Sequence, residues 1–248
     1  MAEVSMMIET PLQRMELLVG KENLEKLQNA TVLVVGVGGV GSYAIEALAR
    51  CGVGNLILVD GDVVAISNLN RQIHANFETI GKSKTQVMKE RIETYRKDCN
   101  VIRYDMFYNE EANKVIFENK IDFVVDAIDT MSSKLTLIKY CKKHKIPFIS
   151  SMGMANRMDP TKVQVCDLMK TTYDPVAKVM RNLVRKEKIR GKIPVVWSSE
   201  HPSVQTVIVN ENGITRKQKQ PPASSPFVPS AAGLAIASYV TRYIMEKK

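Results

Sequence analysis

Short apolar runs alternate with longer segments of helical period along the first part of the chain. The runs lie at 31–36, 55–60, 100–106, 121–126 and 146–150. Between them, apolar positions recur at the helical spacing in segments 40–51, 82–97, 110–118 and 132–144. Because strands that alternate with helices form parallel sheets, the pattern predicts an α/β fold. We expect a Rossmann-like, mostly parallel sheet with helices on both faces.

The pattern changes after Ser150. VQVCDL and VQTVIV, at 163–168 and 204–209, are typical of strands, and the basic segment 174–192 has helical period. A stretch that contains four prolines, 221–230, predicts a loop, and the apolar sequence after it predicts a final helix. We interpret this half as a covering extension rather than as an independent unit.

The chain is long enough to bury a substantial core, with 248 residues of which 45% are hydrophobic. We expect one domain over 1–248, with a nucleotide-binding core at 1–155 and an extension at 156–248 that covers the binding edge of the sheet. Residues 1–30 form a helical lead-in without a secretory signal pattern. The apolar C-terminal stretch is short for a membrane span and contains Arg242, so we expect a cytoplasmic protein without a membrane partner.

A glycine-rich turn lies between the first predicted strand and the first core helix. Gly36, Gly38 and Gly41 satisfy G-x-G-x-x-G, and Gly39 lies inside the same turn. Such glycines let a phosphate approach the backbone at a helix N-terminus. Asp60 follows Gly41 by nineteen residues at a strand end, where a carboxylate can accept ribose hydroxyls. Taken alone, this arrangement favours a nicotinamide dinucleotide over ATP.

The residues after Asp60 fit a dinucleotide poorly. Asn68, Asn70 and Arg71 form a polar run, and Lys84 follows it. An amide and two cations near a glycine-rich turn suit a triphosphate, whose oxygens need several donors and neutralising charge.

Two carboxylates follow the strand predicted at 121–126. Asp126 and Asp129 lie at the edge where open α/β sheets bind ligands. A carboxylate there can hold Mg²⁺ against phosphate oxygens. We assign that role to Asp129 and treat Asp126 as its structural neighbour, although Asp129 could also cap the helix that follows.

Four motifs, of which the glycine-rich turn is the first, together indicate more than the glycines do alone. GVGGVGS, VDGDVVAISNLNRQIH, GKSK and DAIDT resemble the adenylating enzymes related to ubiquitin-activating enzyme, over about residues 10–155. Within that superfamily the chain most resembles the tRNA threonylcarbamoyladenosine dehydratases. NRQIHA, YCKKHKIPFISSMG, DPTKVQVCDLMKTTYDP and WSSE carry this second resemblance.

The resemblance implies an activity. The family uses ATP and Mg²⁺ to activate the carboxylate of N6-threonylcarbamoyladenosine beside the anticodon of tRNA, and the acyl-adenylate then cyclises with loss of water. It implies catalytic roles for Arg71, Lys84 and Arg14, the last inserted into the ATP site of a partner subunit in a homodimer. Association with a cysteine desulfurase or sulfur-acceptor system is also implied. The implied ATP-binding residues are Gly36, Gly38, Gly39, Gly41, Asp60, Asp62, Asn68, Asn70, Arg71, Lys84 and Asp129, with Asp129 as the metal ligand.

The four cysteines bear on the identity of the acyl acceptor. Cys51, Cys99, Cys141 and Cys166 are far apart, without the C-x-x-C pairs that hold structural zinc. Sulfur-carrier activators commonly contain such pairs, and ubiquitin-type activators use a catalytic cysteine. We interpret these residues as ordinary packed thiols. Adenylation of the C-terminus of a ubiquitin-like sulfur carrier remains the alternative function.

The charge of the chain favours an anionic partner. Its formal net charge is +9, and seven Lys and Arg residues stand against one Glu between Lys178 and Lys192. This segment has an apolar face at helical spacing, so its other face can follow an RNA backbone or simply contact solvent. A nicotinamide-dependent oxidoreductase and a non-catalytic nucleotide sensor are further alternatives.

Overall fold

A computed structural model of the chain describes residues 9–204 and 222–247. In this part of the chain seven strands form one sheet. In chain order they are β1 (Thr31–Val35), β2 (Asn55–Val59), β3 (Asn100–Tyr104), β4 (Phe123–Asp126), β5 (Phe148–Ser151), β6 (Val163–Asp167) and β7 (Pro194–Ser198). Their spatial order is β3-β2-β1-β4-β5-β7-β6, and β6 alone pairs antiparallel. The predicted mostly parallel α/β sheet is confirmed.

Helices cover both faces of the sheet. They are α1 (Gln13–Val19), α2 (Lys21–Asn29), α3 (Gly41–Arg50), α4 (Lys84–Glu93), α5 (Asn113–Ile116), α6 (Met131–His144), α7 (Pro175–Lys186) and α8 (Phe227–Glu246). Side chains of β1 alternate between two cores: Val32 and Val34 pack with α3 and α8, whereas Leu33 and Val35 pack with α6 and α7. Because both faces are buried, β1, β2 and β4 are apolar except at one end residue each, namely Thr31, Asn55 and Asp126.

The structure differs from the sequence-based boundaries in several elements. The helix expected at 82–97 is Lys84–Glu93, and the one expected at 110–118 shortens to Asn113–Ile116. The basic helix ends at Lys186 rather than at 192. The lead-in divides into two helices at Gly20, whose positive φ of 82° breaks the helical path.

Two predictions in the extension were incomplete. Strand β7 was missed, and it extends the sheet between β5 and β6. Helix α8 begins at Phe227, inside the stretch predicted as a loop. Pro229 does not prevent this, because it lies in the first turn of the helix, where no backbone amide donor is required. The strand predicted at 204–209 lies outside the described residues except for Val204, which is not in a strand.

Among residues 9–204 and 222–247, no helix combines the length and the apolar character that crossing a membrane requires.

Candidate functional site

A cavity of about 760 Å³ opens at the carboxyl ends of the parallel strands. It brings together residues that are distant in the sequence, as expected for the ligand edge of an open α/β sheet. Those of the predicted site residues that line it are Gly36, Gly38, Gly39, Asp60, Asp62, Asn68, Arg71, Lys84 and Asp129. Gly41, Asn70 and Arg14 lie elsewhere.

The glycine-rich turn passes too close to neighbouring backbone for side chains. Gly36 has a φ of 96°, and a Cβ on it would lie 2.5 Å from the Ala127 carbonyl oxygen. A Cβ on Gly41 would lie 1.8 Å from the Gly36 carbonyl oxygen, so Gly41 serves the contact between turn and helix rather than the cavity wall. The turn leads into the N-terminus of α3, where backbone N–H groups and the helix dipole favour an anion.

Asp60 fixes the turn to the end of β2. Its Oδ2 accepts a hydrogen bond from Val37 N at 2.6 Å, and its Oδ1 accepts one from Asp62 N at 2.8 Å. Burial raises the pKa of this carboxyl, while the nearby positive charge of Lys84 opposes the rise. The carboxylate oxygens still have free lone pairs that ribose hydroxyls can use.

Lys84 is a buried cation in the cavity wall. It is only 6% exposed, and its Nζ lies 2.7 Å from Oδ2 of Asp62, whose side chain is half-exposed. Lys84 begins α4 after Ser83, the hydroxyl of which caps the helix. Asn68 is also buried at this wall, and its Oδ1 accepts a hydrogen bond from Ala65 N. Among the described residues, Asp62 is the one carboxylate within ion-pair distance of this ammonium group, which lines the cavity and can neutralise phosphate.

Arg71 lies across the glycine-rich turn. A Cβ on Gly39 would be 3.4 Å from Arg71 Cγ, so the stem of the arginine packs against the turn. Its Nη1 donates to the Ser67 carbonyl at 2.6 Å and to Asn70 Oδ1 at 3.1 Å. Asn70 donates in turn to the carbonyl of Ser224 at 2.8 Å. Asn70 therefore orients Arg71 and joins this loop to the extension, while its contact with nucleotide stays a prediction.

The two acidic residues after β4 differ in their surroundings. Asp126 is fully buried, 2.9 Å from Lys134 Nζ, and accepts a hydrogen bond from the Ser150 hydroxyl at 2.6 Å. Asp129 is exposed at the cavity, and among residues 9–204 and 222–247 its one side-chain hydrogen-bond partner is the neighbouring Thr130 hydroxyl at 3.3 Å. The structure therefore leaves Asp129 as the carboxylate of this pair that a ligand can reach.

The donors present fit Mg²⁺ bound together with phosphates. In the described part of the chain, no three His, Cys, Asp or Glu side chains cluster closely enough to hold a metal alone. Mg²⁺ is usually held by one or two carboxylates together with substrate phosphates and water, so a single exposed Asp129 beside a phosphate site suffices.

Sequence reasoning missed the apolar walls of the cavity. Residues 106–108 follow β3, and residues 152–155 follow β5. Both segments lie at carboxyl ends of strands, which is the one signal that could have identified them. Their side chains, which include Phe107 and Met152, provide surface on which a nucleobase can pack.

His74 lies in the protein interior near Lys84. It is 3% exposed, and neither ring nitrogen has a hydrogen-bond partner among the described residues. Burial, followed by the charges of Lys84 and Arg91, lowers its pKa to about 4. The imidazole is therefore neutral at physiological pH and does not line the cavity.

Arg14 lies on α1, exposed and away from the cavity of its own chain. The same short helix exposes Leu17 and Leu18, at 75% and 79%. Neighbouring exposed leucines are typical of a surface that another protein covers.

The cysteines are unsuited to nucleophilic chemistry. Cys99 and Cys141 are buried, and burial raises the pKa of Cys99 to about 11. Burial also raises the pKa of Cys51 and of Cys166. At neutral pH these groups are thiols rather than reactive thiolates, and none of them lines the cavity.

The fold and the site define a class: an α/β protein of the nucleotide-binding type, with a glycine-rich turn and two cations in one cavity at the carboxyl ends of its parallel strands. The chain belongs to the ThiF family, whose profile matches residues 12–246.

Individual relatives match along most of the chain. The Bacillus subtilis tRNA threonylcarbamoyladenosine dehydratase is 48% identical over 238 residues, which are 94% of either chain. The Escherichia coli enzyme of that name is 40% identical over 190 residues, covering 74% of this chain and 71% of the relative. The E. coli enzyme solved in complex with ATP superposes with a TM-score of 0.83 at 33% identity, covering 95% and 93% of the two chains.

Proposed function

We propose that this chain is an ATP-dependent tRNA threonylcarbamoyladenosine dehydratase. It activates the carboxylate of N6-threonylcarbamoyladenosine, beside the anticodon of tRNA, as an acyl-adenylate that cyclises with loss of water. The activity rests on relatives of this name that match nearly the full chain, and ATP as substrate rests on the solved relative.

One observation carries the proposal: a single cavity joins a glycine-rich turn to two cations. Of the described residues that line it, Arg71 and Lys84 carry positive charge. Arg71 packs against the turn, and Lys84 pairs with Asp62, whose backbone N–H donates to Asp60. A redox dinucleotide has one pyrophosphate, which a helix N-terminus already serves. Two further cations suit the added charge of a triphosphate and of its departing pyrophosphate.

The reaction requires positioning and charge stabilisation. A carboxylate oxygen of the substrate attacks the α-phosphorus of ATP, and pyrophosphate leaves. Intramolecular attack on the activated carbonyl then closes the ring and releases AMP. Arg71 and Lys84 stabilise the charge that develops at phosphorus, while Asp60 orients the ribose. The substrate carboxylate is already ionised at neutral pH, so the first step needs no general base.

Asp129 would hold Mg²⁺ against the phosphates. When bound, the ion supplies positive charge that neutralises phosphate oxygens during displacement. We assign Asp129 this role because it is the exposed carboxylate at the end of β4, whereas Asp126 is paired with Lys134.

The active form is a cytoplasmic homodimer in which Arg14 reaches the partner's ATP site. The exposed Leu17 and Leu18 beside it support an interface at α1. Residues 1–248 act as one unit, because Ser224 and Pro229 of the extension line the same cavity as the core residues. A cysteine desulfurase system remains an expectation from the family resemblance.

Incubation of the purified protein with ATP, Mg²⁺ and tRNA that carries the threonylcarbamoyl group tests the proposal. We expect a cyclised nucleoside lighter by one water, with AMP and pyrophosphate formed in equal amounts. Unchanged tRNA together with adenylation of a carrier protein that ends in Gly-Gly would contradict it and favour the alternative. Preferential binding of NAD over ATP in a thermal-shift titration would contradict both.

A further inference from the structure

Tyr173 adopts a backbone conformation that a bulky residue rarely tolerates. Its φ is 54°, in the left-handed region, and its side chain is exposed, with the residue 59% accessible. Such a conformation costs energy and persists only where the surroundings impose it. This backbone conformation places the aromatic ring of Tyr173 in solvent just before α7. Burial in the core therefore does not explain why the strained conformation is kept.

A buried guanidinium contacts the backbone at this position. Arg157 is 2% exposed, and its Nη2 donates to the Tyr173 carbonyl at 3.4 Å. Its Nε donates to the Glu200 carbonyl at 3.0 Å, and its Nη1 donates to the Gly153 carbonyl. Its charge lies 3.6 Å from the buried Asp174. Arg157 thus holds together the segments around residues 153, 173 and 200.

The third of these segments supplies a second ring. His201 follows Glu200, and its imidazole lies against the Tyr173 ring with centroids 3.7 Å apart and planes at 35°. The Glu200 carboxylate accepts hydrogen bonds from the backbone of Met158 and Asp159 at 2.9 Å each, so it is held away from the rings. We call Tyr173 and His201 the aromatic platform.

The aromatic platform lies beside the ATP cavity. Gly153 and Val176 line the cavity, and a Cβ on Gly153 would lie 3.1 Å from Asp174 Oδ1. Asp174 follows Tyr173 directly and caps α7 through Ala177 N at 2.9 Å. Tyr173 is therefore the immediate sequence neighbour of a residue whose side chain contacts the cavity wall at Gly153.

Positively charged side chains extend along α7 from the end near the aromatic platform to the C-terminal end of the helix. Its buried face consists of Ala177, Met180 and Val184. Lys178, Arg185 and Lys186 are exposed along the helix. At about 1.5 Å per residue, these cations extend roughly 12 Å from the first to the last. Exposed aromatic rings followed by a row of cations match single-stranded RNA, whose bases stack while its phosphates need positive charge.

We propose that the aromatic platform stacks with an unpaired nucleobase that flanks the modified adenosine of the tRNA. This inference rests on the proposed function and adds a substrate-binding site to it. The stacked base orients the RNA so that the threonylcarbamoyl carboxylate enters the ATP cavity past Gly153. A carrier protein that ends in Gly-Gly offers neither a base nor phosphates to these groups.

Steady-state kinetics of Tyr173→Asn against Tyr173→Phe test the proposal. Asparagine tolerates positive φ, so the first variant removes the ring and keeps the backbone path, whereas phenylalanine keeps the ring. We expect Tyr173→Asn to raise the KM for tRNA about tenfold without changing the KM for ATP, and Tyr173→Phe to resemble wild type. Phe77→Asn, at an aromatic residue that is 79% exposed and lies outside the cavity lining, is the control and should leave both constants unchanged.

Binding to anticodon stem-loops distinguishes stacking from a general structural effect. Removing the base of one nucleotide that flanks the target should weaken binding to wild type about tenfold but leave binding to Tyr173→Asn unchanged. If base removal weakens binding to both proteins equally at every flanking position, the platform is refuted while the dehydratase activity stands. If wild type fails to dehydrate the tRNA, the proposed function fails, and the platform with it.

Discussion

At the scale of single residues, the site depends on a few charged groups whose surroundings set their state. Lys84 is buried with one partly exposed carboxylate, whereas Lys134 of α6 is buried with Asp126 at the end of β4. Lys84 and Asp62 face the cavity, so the Lys84 ammonium group can bind a phosphate in place of the Asp62 carboxylate. The second pair is closed to ligand, so burial and position, rather than residue type, separate a binding lysine from a structural one.

Lys84→Met should abolish most of the activity and leave the fold intact. Methionine keeps the apolar stem, and the freed Asp62 carboxylate is half-exposed and can be hydrated. We expect kcat to fall by about 100-fold, because a preorganised cation no longer stabilises the charge at phosphorus. Lys82→Met, at an exposed lysine two residues earlier, is the matched control. Equal turnover of the two variants, with melting temperatures near that of wild type, would contradict the assigned role.

His74 should make the protein sensitive to acid. Its pKa falls from an ordinary value of 6.5 to about 4 in the folded state, mainly through burial. Between these pH values the unfolded chain binds a proton that the folded chain does not. Stability is therefore full above pH 6.5 and is lost as the pH falls towards 4, with a slope of up to about 1.4 kcal/mol per pH unit.

Urea denaturation of His74→Leu at pH 7 and pH 5 measures this effect. Leucine removes the titrating group, so the loss of stability between the two pH values should be smaller than in wild type. His144→Gln, at an exposed histidine, should retain the wild-type pH dependence. An unchanged pH dependence in His74→Leu would show that other groups cause the acid sensitivity.

At the scale of elements, α8 packs against the end of the glycine-rich turn and the first residues of α3. A Cβ on Gly233 would lie 2.5 Å from the Val40 carbonyl oxygen and 2.8 Å from Ala44 N. The backbone of α8 is therefore in close contact with the backbone at the start of α3. The extension therefore contacts the phosphate-binding turn directly. Asn70 adds a second connection through its hydrogen bond to Ser224.

Gly233→Ala should weaken both the fold and ATP binding. The added methyl forces α8 away from α3, at a cost of about 1–3 kcal/mol that exceeds the helix propensity gained. Urea denaturation and ATP titration of the variant measure the two effects. Ser238→Ala, on the exposed face of α8, changes propensity without this contact and should lose neither. Full stability of Gly233→Ala would contradict the close packing.

The sequence predicted the central elements well because their apolar period is unbroken. Strands β1 to β5 and the helices between them follow the predicted alternation. Strand β7 was missed because it is a short run headed by Pro194, which lacks a backbone donor, beside residues without strand character. Asp60 could be placed at the binding edge because chain order fixes where strands end, whereas Lys84, which begins α4, was assigned from its charge and from the resemblance. Phe107 was missed although it follows the end of β3, whereas Tyr173 could not be predicted because its position depends on which loops meet in space.

At the scale of the whole molecule, the cavity of one chain does not contain Arg14. The resemblance implies an arginine from a partner subunit at this position, and the exposed leucines on α1 support an interface there. The proposed catalytic unit is therefore a symmetric pair in which each site uses Lys84 of one chain and Arg14 of the other. With this arrangement, the enzyme is active only when two chains form the dimer.

Mixing two inactive variants tests this arrangement. Arg14→Ala and Lys84→Met each disable both sites of a homodimer, whereas their mixed dimer contains one site with both residues intact. After subunit exchange, random pairing should restore about a quarter of wild-type activity. Absence of activity, although mass spectrometry shows mixed dimers, would exclude the shared site.

The central claim is that ATP activates an RNA-borne carboxylate through transfer of AMP. Its most direct test uses tRNA in which the threonylcarbamoyl carboxylate is labelled with heavy oxygen. Adenylation followed by ring closure transfers one carboxylate oxygen to phosphorus, so we predict that the released AMP contains one heavy oxygen atom. Unlabelled AMP, or label found in inorganic phosphate with ADP as the product, would contradict the account.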